Sequence, residues 1–434
     1  MPPRNFWTIL LAGMISLACH LRAAHNRYAA TLADAMEEVR SSYVEPVDQR
    51  RLFENAMEGM IGKLDPYSSF IPPEDYERWK EELDQEFGGI GVVVKLDPDS
   101  RRPMVMSPIP DSPAYRAGIR AGDLLLSVDG VETSADAMED ILHRVKGAPK
   151  TIVRLRILPY GKKDPVDLTV ARALIPIESV MGDSRRSDGG WVYRLEEHPE
   201  IGYVRVGLFG EHTSTELREV LTELTPRIQS LILDLRGNQG GLLDAAVETC
   251  DLFLARGEIV RELGRDRRLR ERFIASPGND VVPAEMPMVA LVDMFSASAS
   301  EIVAACLQDH KRATIIGQRT WGKGTVQRLF EMEGGRSALR LTTATYWRPS
   351  GKNIHREADD PPEATWGVSP DQGFDVRLDK DAYVQMLEAR GERDAVRLSS
   401  PTEANESPHP PAPTRDAQLT KAIEHLLHDT SPST

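Results

Sequence analysis

Two short apolar runs, each followed by a loop and then by helical spacing, constrain the fold of this 434-residue chain most strongly. The runs Leu231 to Leu235 and Met288 to Val292 have the length and composition of buried strands. After them, apolar residues recur at the spacing of an amphipathic helix over Leu242 to Leu254 and again from Ser298 onward. Buried strands that alternate with helices indicate an α/β fold.

Both loops carry residues that suit catalysis. Ser298 lies at the strand-to-helix turn, at or near the helix N-cap, and Glu301 falls in the first turn, where a carboxylate suits the helix dipole. Serine is a common N-cap, so position alone favours a structural role for Ser298. The upstream loop, Arg236 to Gly241, can bring backbone N–H groups close to an anion. That anion is either a phosphate or the oxyanion of an acyl-transfer intermediate.

Lys323 lies twenty-five residues after Ser298 and allows two kinds of chemistry. The segment that begins at Gly317 has the G-x-x-x-x-G-K spacing of a phosphate-binding loop. However, Gly324 stands where that loop needs Ser or Thr, and Thr325 to Phe330 is β-like rather than helical, so we exclude a nucleotide site. A neutral lysine can instead act as a base toward a serine hydroxyl. The chain lacks the G-x-S-x-G motif, so no His-based serine triad is evident.

In their order and spacing, these motifs resemble the carboxyl-terminal processing peptidases, or tail-specific proteases, which are Ser-Lys endopeptidases of family S41A. The resemblance covers about residues 28 to 376. The segments that carry it are Gly59–Met60, Leu64–Pro66, Phe87–Gly91, Asp234–Leu243, Ser296–Glu301, Gly322–Gln327, Tyr346–Gly351 and Gly367–Asp371. It implies a multidomain α/β fold, with a protease core of ClpP or crotonase type, an inserted β-rich PDZ domain and helical segments at both ends.

The resemblance also implies the catalytic groups, carried over residue by residue. Ser298 would be the nucleophile, Lys323 the general base and Gln327 the group that orients the lysine amine. The oxyanion hole would be built from backbone N–H groups, those of Ala299 and of Gly240 or Gly241. No cofactor and no metal is implied.

Residues Phe87 to Arg172 have an organisation of their own, with short strands, turns and a helix predicted over 137–145. Thr151 to Leu158 alternates apolar residues with Arg, which predicts an edge-facing strand. The segment resembles a bacterial PDZ domain, which captures a C-terminal peptide by strand addition and by a nest of N–H groups around its carboxylate. The carboxylate-binding loop would be Gly89, Ile90, Gly91 and Val92. The domain could instead serve only for packing or regulation.

Composition excludes several classes of partner. A formal net charge of −14 argues against nucleic acid and against a polybasic membrane patch. Arg261 to Arg272 is locally basic, and we predict a solvated loop or hairpin there. Cys250 and Cys306 are predicted as buried thiols, because neither a disulfide nor a zinc-type spacing is favoured. Some members of the resembled family use an acid at Asp309, which we predict instead to be a helix-surface carboxylate.

The N-terminus predicts export. Arg4 precedes a mostly apolar run, Phe6 to Cys19, which is short for a membrane span and typical of a signal peptide. Ala18, Ala23 and Ala24 offer cleavage sites. We therefore expect the periplasm or the cell envelope, and the sequence leaves open an uncleaved anchor or lipid attachment.

We predict five segments: a signal peptide or anchor over 1–24, a helical region over 25–84, the PDZ domain over 85–172, the protease core over 173–380, and a Pro-rich linker with a C-terminal helix over 381–434. The predicted function is an exported serine endopeptidase whose partners are protein or peptide substrates with free C-terminal tails. The resemblance adds a homodimer through the helical region. The alternative is a non-catalytic, PDZ-based scaffold that binds peptides or acts like a chaperone, which intact Ser298 and Lys323 argue against.

Overall fold

The structure is a computed structural model that describes residues 14, 27–76, 85–97, 99–133, 138–186, 188–357, 360–361, 364–395 and 416–429. The predicted signal segment, apart from Met14, and the predicted linker over 399–413 lie outside these residues. Within the described ranges, no helix has both the length and the apolar character that crossing a membrane requires.

Helices and strands alternate through most of the described chain. The helices are α1 (Arg27–Ser42), α2 (Gln49–Ile61), α3 (Pro113–Arg116), α4 (Met138–Val145), α5 (Thr213–Leu224), α6 (Leu243–Asp251), α7 (Ala299–Asp309), α8 (Lys380–Asp394) and α9 (Ala417–Asp429). The strands are β1 (Ser69–Ile71), β2 (Glu86–Gly89), β3 (Val92–Leu96), β4 (Pro103–Pro108), β5 (Leu124–Val128), β6 (Val131–Glu132), β7 (Ile152–Leu158), β8 (Val166–Ala171), β9 (Ala173–Pro176), β10 (Val180–Met181), β11 (Ser184–Arg185), β12 (Trp191–Val192), β13 (Ile201–Val206), β14 (Ser230–Asp234), β15 (Glu258–Leu263), β16 (Leu269–Ile274), β17 (Met288–Val292), β18 (Thr314–Gly317), β19 (Thr325–Met332) and β20 (Ser337–Trp347).

The described residues form two compact units, and the smaller one joins residues 27–76 to residues 327–342. In it, β1 pairs antiparallel with the first part of β20. Phe70 of β1 packs edge-to-face against Phe53 of α2, with 5.6 Å between the ring centroids. The sequence predicted a helical region here, so β1 is a correction. Pro66 disfavours a helical conformation at the residue that precedes it, close to the start of β1. The strand forms because residues more than 260 positions away supply its hydrogen bonds.

The larger unit contains the predicted PDZ domain, whose antiparallel sheet has the order β3-β4-β5-β7-β8. Its core includes Ile90, Val105, Leu125, Ile141 and Val153, all nearly inaccessible to solvent. Strand β7 pairs with β5 on one side and β8 on the other, so the prediction of an edge strand was wrong. The Arg alternation instead reflects one solvated face of a central strand.

The predicted protease core in the larger unit is built on a second sheet, with strand order β10-β13-β14-β17-β18. Strands β13, β14, β17 and β18 run parallel, and β10 is antiparallel to β13. Helices α5, α6 and α7 contribute to the core cluster on one face. The strands predicted from the two apolar runs and the helices predicted after them are confirmed, as is the mixed α/β class.

The other face of this sheet is covered by α9. Ala422 and Leu426 pack with Ile232, Val289 and Ile316, which alternate along the strands with residues of the opposite core. This confirms the C-terminal helix predicted over residues 416–427. Helix α9 therefore packs on the predicted protease core.

Two smaller predictions are also confirmed. The arginine-rich segment is the hairpin of β15 and β16, and most of β16 is exposed. Cys250 and Cys306 are buried free thiols on adjacent helices. Burial, together with the contact to Cys306, holds the pKa of the Cys250 thiol well above its usual range.

Truncation of α9 side chains should show how firmly this helix is docked. We expect Leu426→Ala, at a side chain only 1% exposed, to lower the free energy of unfolding by about 2–4 kcal/mol. The neighbouring Leu427 is 37% exposed, so Leu427→Ala should cost less than about 1 kcal/mol. Urea denaturation of both variants measures the difference, and equal losses would contradict the docking.

Candidate active site

Three loops meet at the carboxyl ends of three neighbouring parallel strands. The loop after β14 carries Gly240 and Gly241, the loop after β17 carries Ser298, and the loop after β18 carries Lys323. Because β14 pairs with β17 and β17 with β18, all three loops leave the same edge of the sheet. Ligand sites in parallel sheets form at this edge.

Ser298 occupies a strained backbone position directly before α7. Its φ of 55° and ψ of −112° are unusual for a residue with a Cβ, and such strain concentrates at functional sites. The neighbouring serines have structural roles: the Ser296 hydroxyl donates to the Leu235 carbonyl, and the Ser300 hydroxyl donates to the Asn238 carbonyl. The strain therefore singles out Ser298 among the three serines of the motif.

The glycine turn lies directly against this serine. A Cβ added at Gly240 would lie 2.8 Å from the Cβ of Ser298 and 3.1 Å from the Ala299 nitrogen. Gly241 has a φ of 143° and packs against the main chain of Phe209, so neither position accepts a side chain. Glycine is required here because the two loops touch through their backbones.

Two backbone N–H groups beside Ser298 have no acceptor among the described residues, those of Ala299 and Gly241. Ala299 is the first residue of α7, where the N–H groups lack intrahelical partners. The Gly240 N–H, in contrast, donates to Asn238 Oδ1 at 2.8 Å. Of the two alternatives that the sequence left open, the hydrogen bonding favours Gly241 as the second donor.

The Glu301 carboxylate joins the serine loop to the lysine loop. Its Oε2 accepts hydrogen bonds from the backbone N–H groups of Ser298 and Lys323, both at 2.8 Å. Its Oε1 accepts from the Gly322 N–H at 2.6 Å and from the Thr320 hydroxyl at 2.5 Å. The side chain is completely buried. Burial raises the pKa of Glu301, and these hydrogen bonds oppose the rise without cancelling it.

The lysine loop is held tightly along its backbone. The Gly322 carbonyl accepts from the Arg356 N–H at 2.9 Å, and the Gly324 carbonyl accepts from the Tyr346 N–H at 2.7 Å. Gly324 lies so close to His355 that no side chain would fit. Lys323 between them is half-buried. The next residues form β19 rather than a helix, which confirms the exclusion of a phosphate-binding loop.

Gln327 belongs to the smaller unit. Its Nε2 lies 3.5 Å from the Thr342 hydroxyl, which donates to Asp65 Oδ1 at 3.0 Å. Asp65 also accepts from the Ser68 N–H at 2.9 Å. These contacts give the Leu64–Pro66 motif a structural role beside Gln327.

Asp309 was predicted to be a solvent-exposed carboxylate on the helix surface, and this prediction was wrong. Its side chain is only 12% exposed and forms a bidentate ion pair with Arg348, at 2.6 and 3.0 Å. It also accepts from the Ser350 N–H at 2.9 Å. Burial alone would raise the pKa of Asp309, but these partners hold it below its usual value. At the far end of α7 from Ser298, Asp309 anchors the segment after β20.

The loop before β3 presents N–H groups on one side. The Ile90 carbonyl accepts from the Ala114 N–H, and the Gly91 carbonyl accepts from the Ile109 N–H. In a planar trans peptide, the N–H points opposite to the carbonyl, so the N–H groups of Gly91 and Val92 point away from these partners. Among the described strands, β3 pairs only with β4, and its other edge is open to an added strand.

Comparisons with known proteins agree with this geometry. Three family models match: "Peptidase family S41" over residues 200–373, "PDZ domain" over 104–159 and "Activating protease CtpB N-terminal domain" over 20–74. A carboxy-terminal-processing protease of Bartonella bacilliformis is 36% identical over 92% of this chain and 88% of its own length. The chain belongs to peptidase family S41.

Further relatives support this membership. A carboxyl-terminal-processing protease of Synechocystis sp. is 33% identical over 77% of this chain and 74% of its own length. A solved structure described as a putative S41 protease from Bacteroides fragilis shares the fold, with a TM-score of 0.50 and 16% identity over 91% of this chain and 97% of that one. The chain is therefore an S41 serine-type endopeptidase with a PDZ domain, related to the carboxy-terminal processing proteases.

Sequence reasoning missed the principal role of Glu301. It assigned the residue only to the helix dipole, because three of its donors come from residues 320–323, about twenty positions away. The available signal was an acid at the third helical position beside a glycine-rich loop. Asn238 and Asp293 were missed for the same reason, since Asn238 donates to the Val206 carbonyl at the end of β13 and Asp293 accepts from the Gly237 N–H of another loop.

Replacement of Glu301 should weaken both stability and activity. In Glu301→Gln, the amide NH2 would face two backbone or hydroxyl donors and could accept from neither. Because one unmet buried donor costs about 1–3 kcal/mol, we expect the free energy of unfolding to fall by about 2–4 kcal/mol. We also expect a lower kcat, because Ser298 and Lys323 would lose their common anchor. Urea denaturation and peptide hydrolysis measure these effects. Glu271→Gln, on an exposed strand, is the matched control, and a Glu301→Gln variant that behaves like it would contradict this role.

Proposed function

We propose that this S41 peptidase is an exported Ser-Lys endopeptidase that cleaves proteins recognised by their C-terminal tails. The observation that carries the proposal is the Glu301 carboxylate, which bonds the N–H groups of both Ser298 and Lys323. The two residues are thereby held at one edge of the sheet, beside the N–H groups of Ala299 and Gly241.

The mechanism follows from the chemistry of these groups. Neutral Lys323 takes the proton of the Ser298 hydroxyl, whose oxygen attacks the scissile carbonyl carbon. The N–H groups of Ala299 and Gly241 stabilise the oxyanion, a contribution of about 3–4 kcal/mol per donor in comparable sites. The lysine then gives its proton to the departing amine. Water activated by the same lysine hydrolyses the acyl-enzyme and restores Ser298.

Gln327 is carried over as the group that orients the lysine amine, four residues after Lys323. The amide is supported through Thr342, whose hydroxyl bonds Asp65. An amide oxygen can accept from a lysine ammonium in either step of the cycle. No metal or cofactor enters this chemistry.

Substrate capture is assigned to the PDZ domain. The N–H groups of Gly91 and Val92, in the loop from Gly89, suit a terminal carboxylate, and the open edge of β3 suits an added peptide strand. A tail bound there would hold the rest of the substrate near the protease core. This supports substrates with an accessible C-terminal tail.

Location and assembly rest on the N-terminal region. The apolar run from Phe6 to Cys19 supports export to the periplasm or the cell envelope, either with cleavage or with attachment through the N-terminus. Helix α1 buries no side chain within the described residues and exposes Leu32 and Val39. That apolar face supports a homodimer through the N-terminal helices.

Substitution of the two catalytic groups tests the mechanism. We expect Ser298→Ala and Lys323→Ala each to lower kcat by at least about 10³-fold, since a nucleophile and its base act as a unit. Ser350→Ala and Lys352→Ala, two exposed positions, are matched controls that should cleave like the parent. The assay is cleavage of a protein with an unstructured apolar tail. Cleavage by both catalytic variants at the parent rate would overturn the Ser-Lys assignment. Intact tail binding without cleavage by the parent would favour the scaffold.

A pair of peptides tests the capture site. A tail peptide with a free C-terminal carboxylate should bind at least about ten-fold more tightly than the same peptide with a C-terminal amide, because the loop N–H groups lose a charged acceptor. Fluorescence anisotropy with the Ser298→Ala variant measures binding without cleavage. Equal affinities would show that the carboxylate is not recognised.

A further inference from the structure

A buried arginine connects the glycine turn to the C-terminal segment. Arg236 begins the loop that leads to Gly240 and Gly241, and its side chain is only 5% exposed. Its Nε and Nη2 donate to the Asp234 carboxylate. Its Nη1 donates to Asp416 Oδ1 at 2.9 Å and to Gln418 Oε1 at 3.0 Å. One guanidinium therefore lies between two buried carboxylates that are 182 residues apart in sequence.

The Asp234 side of this contact is itself fixed. Asp234 Oδ2 accepts from the Tyr203 hydroxyl at 2.6 Å, and that hydroxyl accepts from Arg390 of α8 at 2.8 Å. Burial alone would raise the pKa of Asp234, but the Arg236 guanidinium lowers it to about 2. The carboxylate is thus ionised at neutral pH.

The Asp416 side is fixed by the C-terminal helix. Asp416 Oδ1 also accepts from the Leu419 N–H at 3.0 Å, as an N-cap does. Gln418 donates to the Val376 carbonyl at 2.8 Å, and Leu426 is buried against the sheet. Asp416 is therefore a rigidly placed acceptor.

The backbone of Arg236 belongs to the loop that leads to the glycine turn. Its N–H donates to Asp234 Oδ1 at 3.0 Å, and the next N–H, that of Gly237, donates to Asp293. Asn238 then bonds the Gly240 N–H. A displacement of the Arg236 side chain would be passed along these bonds to the turn that faces Ser298.

We propose that Asp416 is a positioning residue for peptide hydrolysis: through Arg236, it fixes the glycine turn that supplies an oxyanion donor, so the C-terminal segment completes the active site. The inference rests on the proposed Ser-Lys function and extends it to a residue outside the three catalytic loops. Loss of the Asp416 charge frees one end of the guanidinium, and the donor moves relative to the oxyanion.

The test compares Asp416→Asn with Glu424→Gln, an exposed acid on the same helix, in hydrolysis of a short chromogenic peptide ester. The amplitude of the acylation burst counts active sites, and kcat is expressed per active site. We expect Asp416→Asn to lower kcat at least about ten-fold, with KM changed less than about three-fold, because a misplaced oxyanion donor acts in the transition state. Asp416→Glu should recover part of the loss. Glu424→Gln should match the parent.

A purely structural role would lower the burst amplitude and leave kcat per site unchanged, which would overturn the proposal. If Asp416→Asn does not fold, Gln418→Leu decides, since it removes the second acceptor of the same Arg236 nitrogen, together with the donor to the Val376 carbonyl. A parental kcat in that variant would likewise overturn the proposal. A parent chain that hydrolyses neither ester nor tail-bearing protein would overturn the proposed function, and the positioning role with it.

Discussion

The architecture of the site depends on one buried carboxylate. Glu301 is completely inaccessible to solvent and accepts hydrogen bonds from the N–H groups of Ser298, Gly322 and Lys323. A buried carboxylate is costly unless its oxygens are bonded, so the serine loop and the lysine loop must stay where these donors reach it. The strained backbone at Ser298 persists because the surrounding bonds determine it. The backbone positions of Ser298 and Lys323, the proposed nucleophile and base, are thus fixed by a single side chain.

In the glycine turn, too, side-chain oxygens accept hydrogen bonds from backbone N–H groups. Asp293 accepts from the Gly237 N–H, and Asn238 accepts from the Gly240 N–H. Three N–H groups of these loops, those of Gly237, Gly322 and Lys323, donate to a side chain of a neighbouring loop, while those of Ala299 and Gly241 have no acceptor among the described residues. Donors held in this way need no reorganisation during the reaction. The buried ion pairs of Arg236 join this loop to Asp416, the first residue of the last described segment.

Local pattern predicted most of the fold. The strands and helices on either side of Ser298, the β-strand after Lys323 and the arginine-rich hairpin follow from periodicity and turn residues, which each segment carries in itself. Strand β1 could not be predicted, because its partner lies beyond residue 330. The ion pair of Asp309 with Arg348 was missed because its two members meet only in the folded chain. The predicted catalytic residues came from motif resemblance, and their roles stay predictions.

The central claim is that Ser298 is acylated during turnover. We would mix the enzyme with a slowly hydrolysed peptide ester, quench with acid at intervals and map the acyl group by mass spectrometry of proteolytic fragments. The account predicts an acyl group on Ser298 that forms and decays with catalytic turnover, and that is absent from the Lys323→Ala variant. An acyl group on another residue, or hydrolysis without any acyl-enzyme, would contradict it.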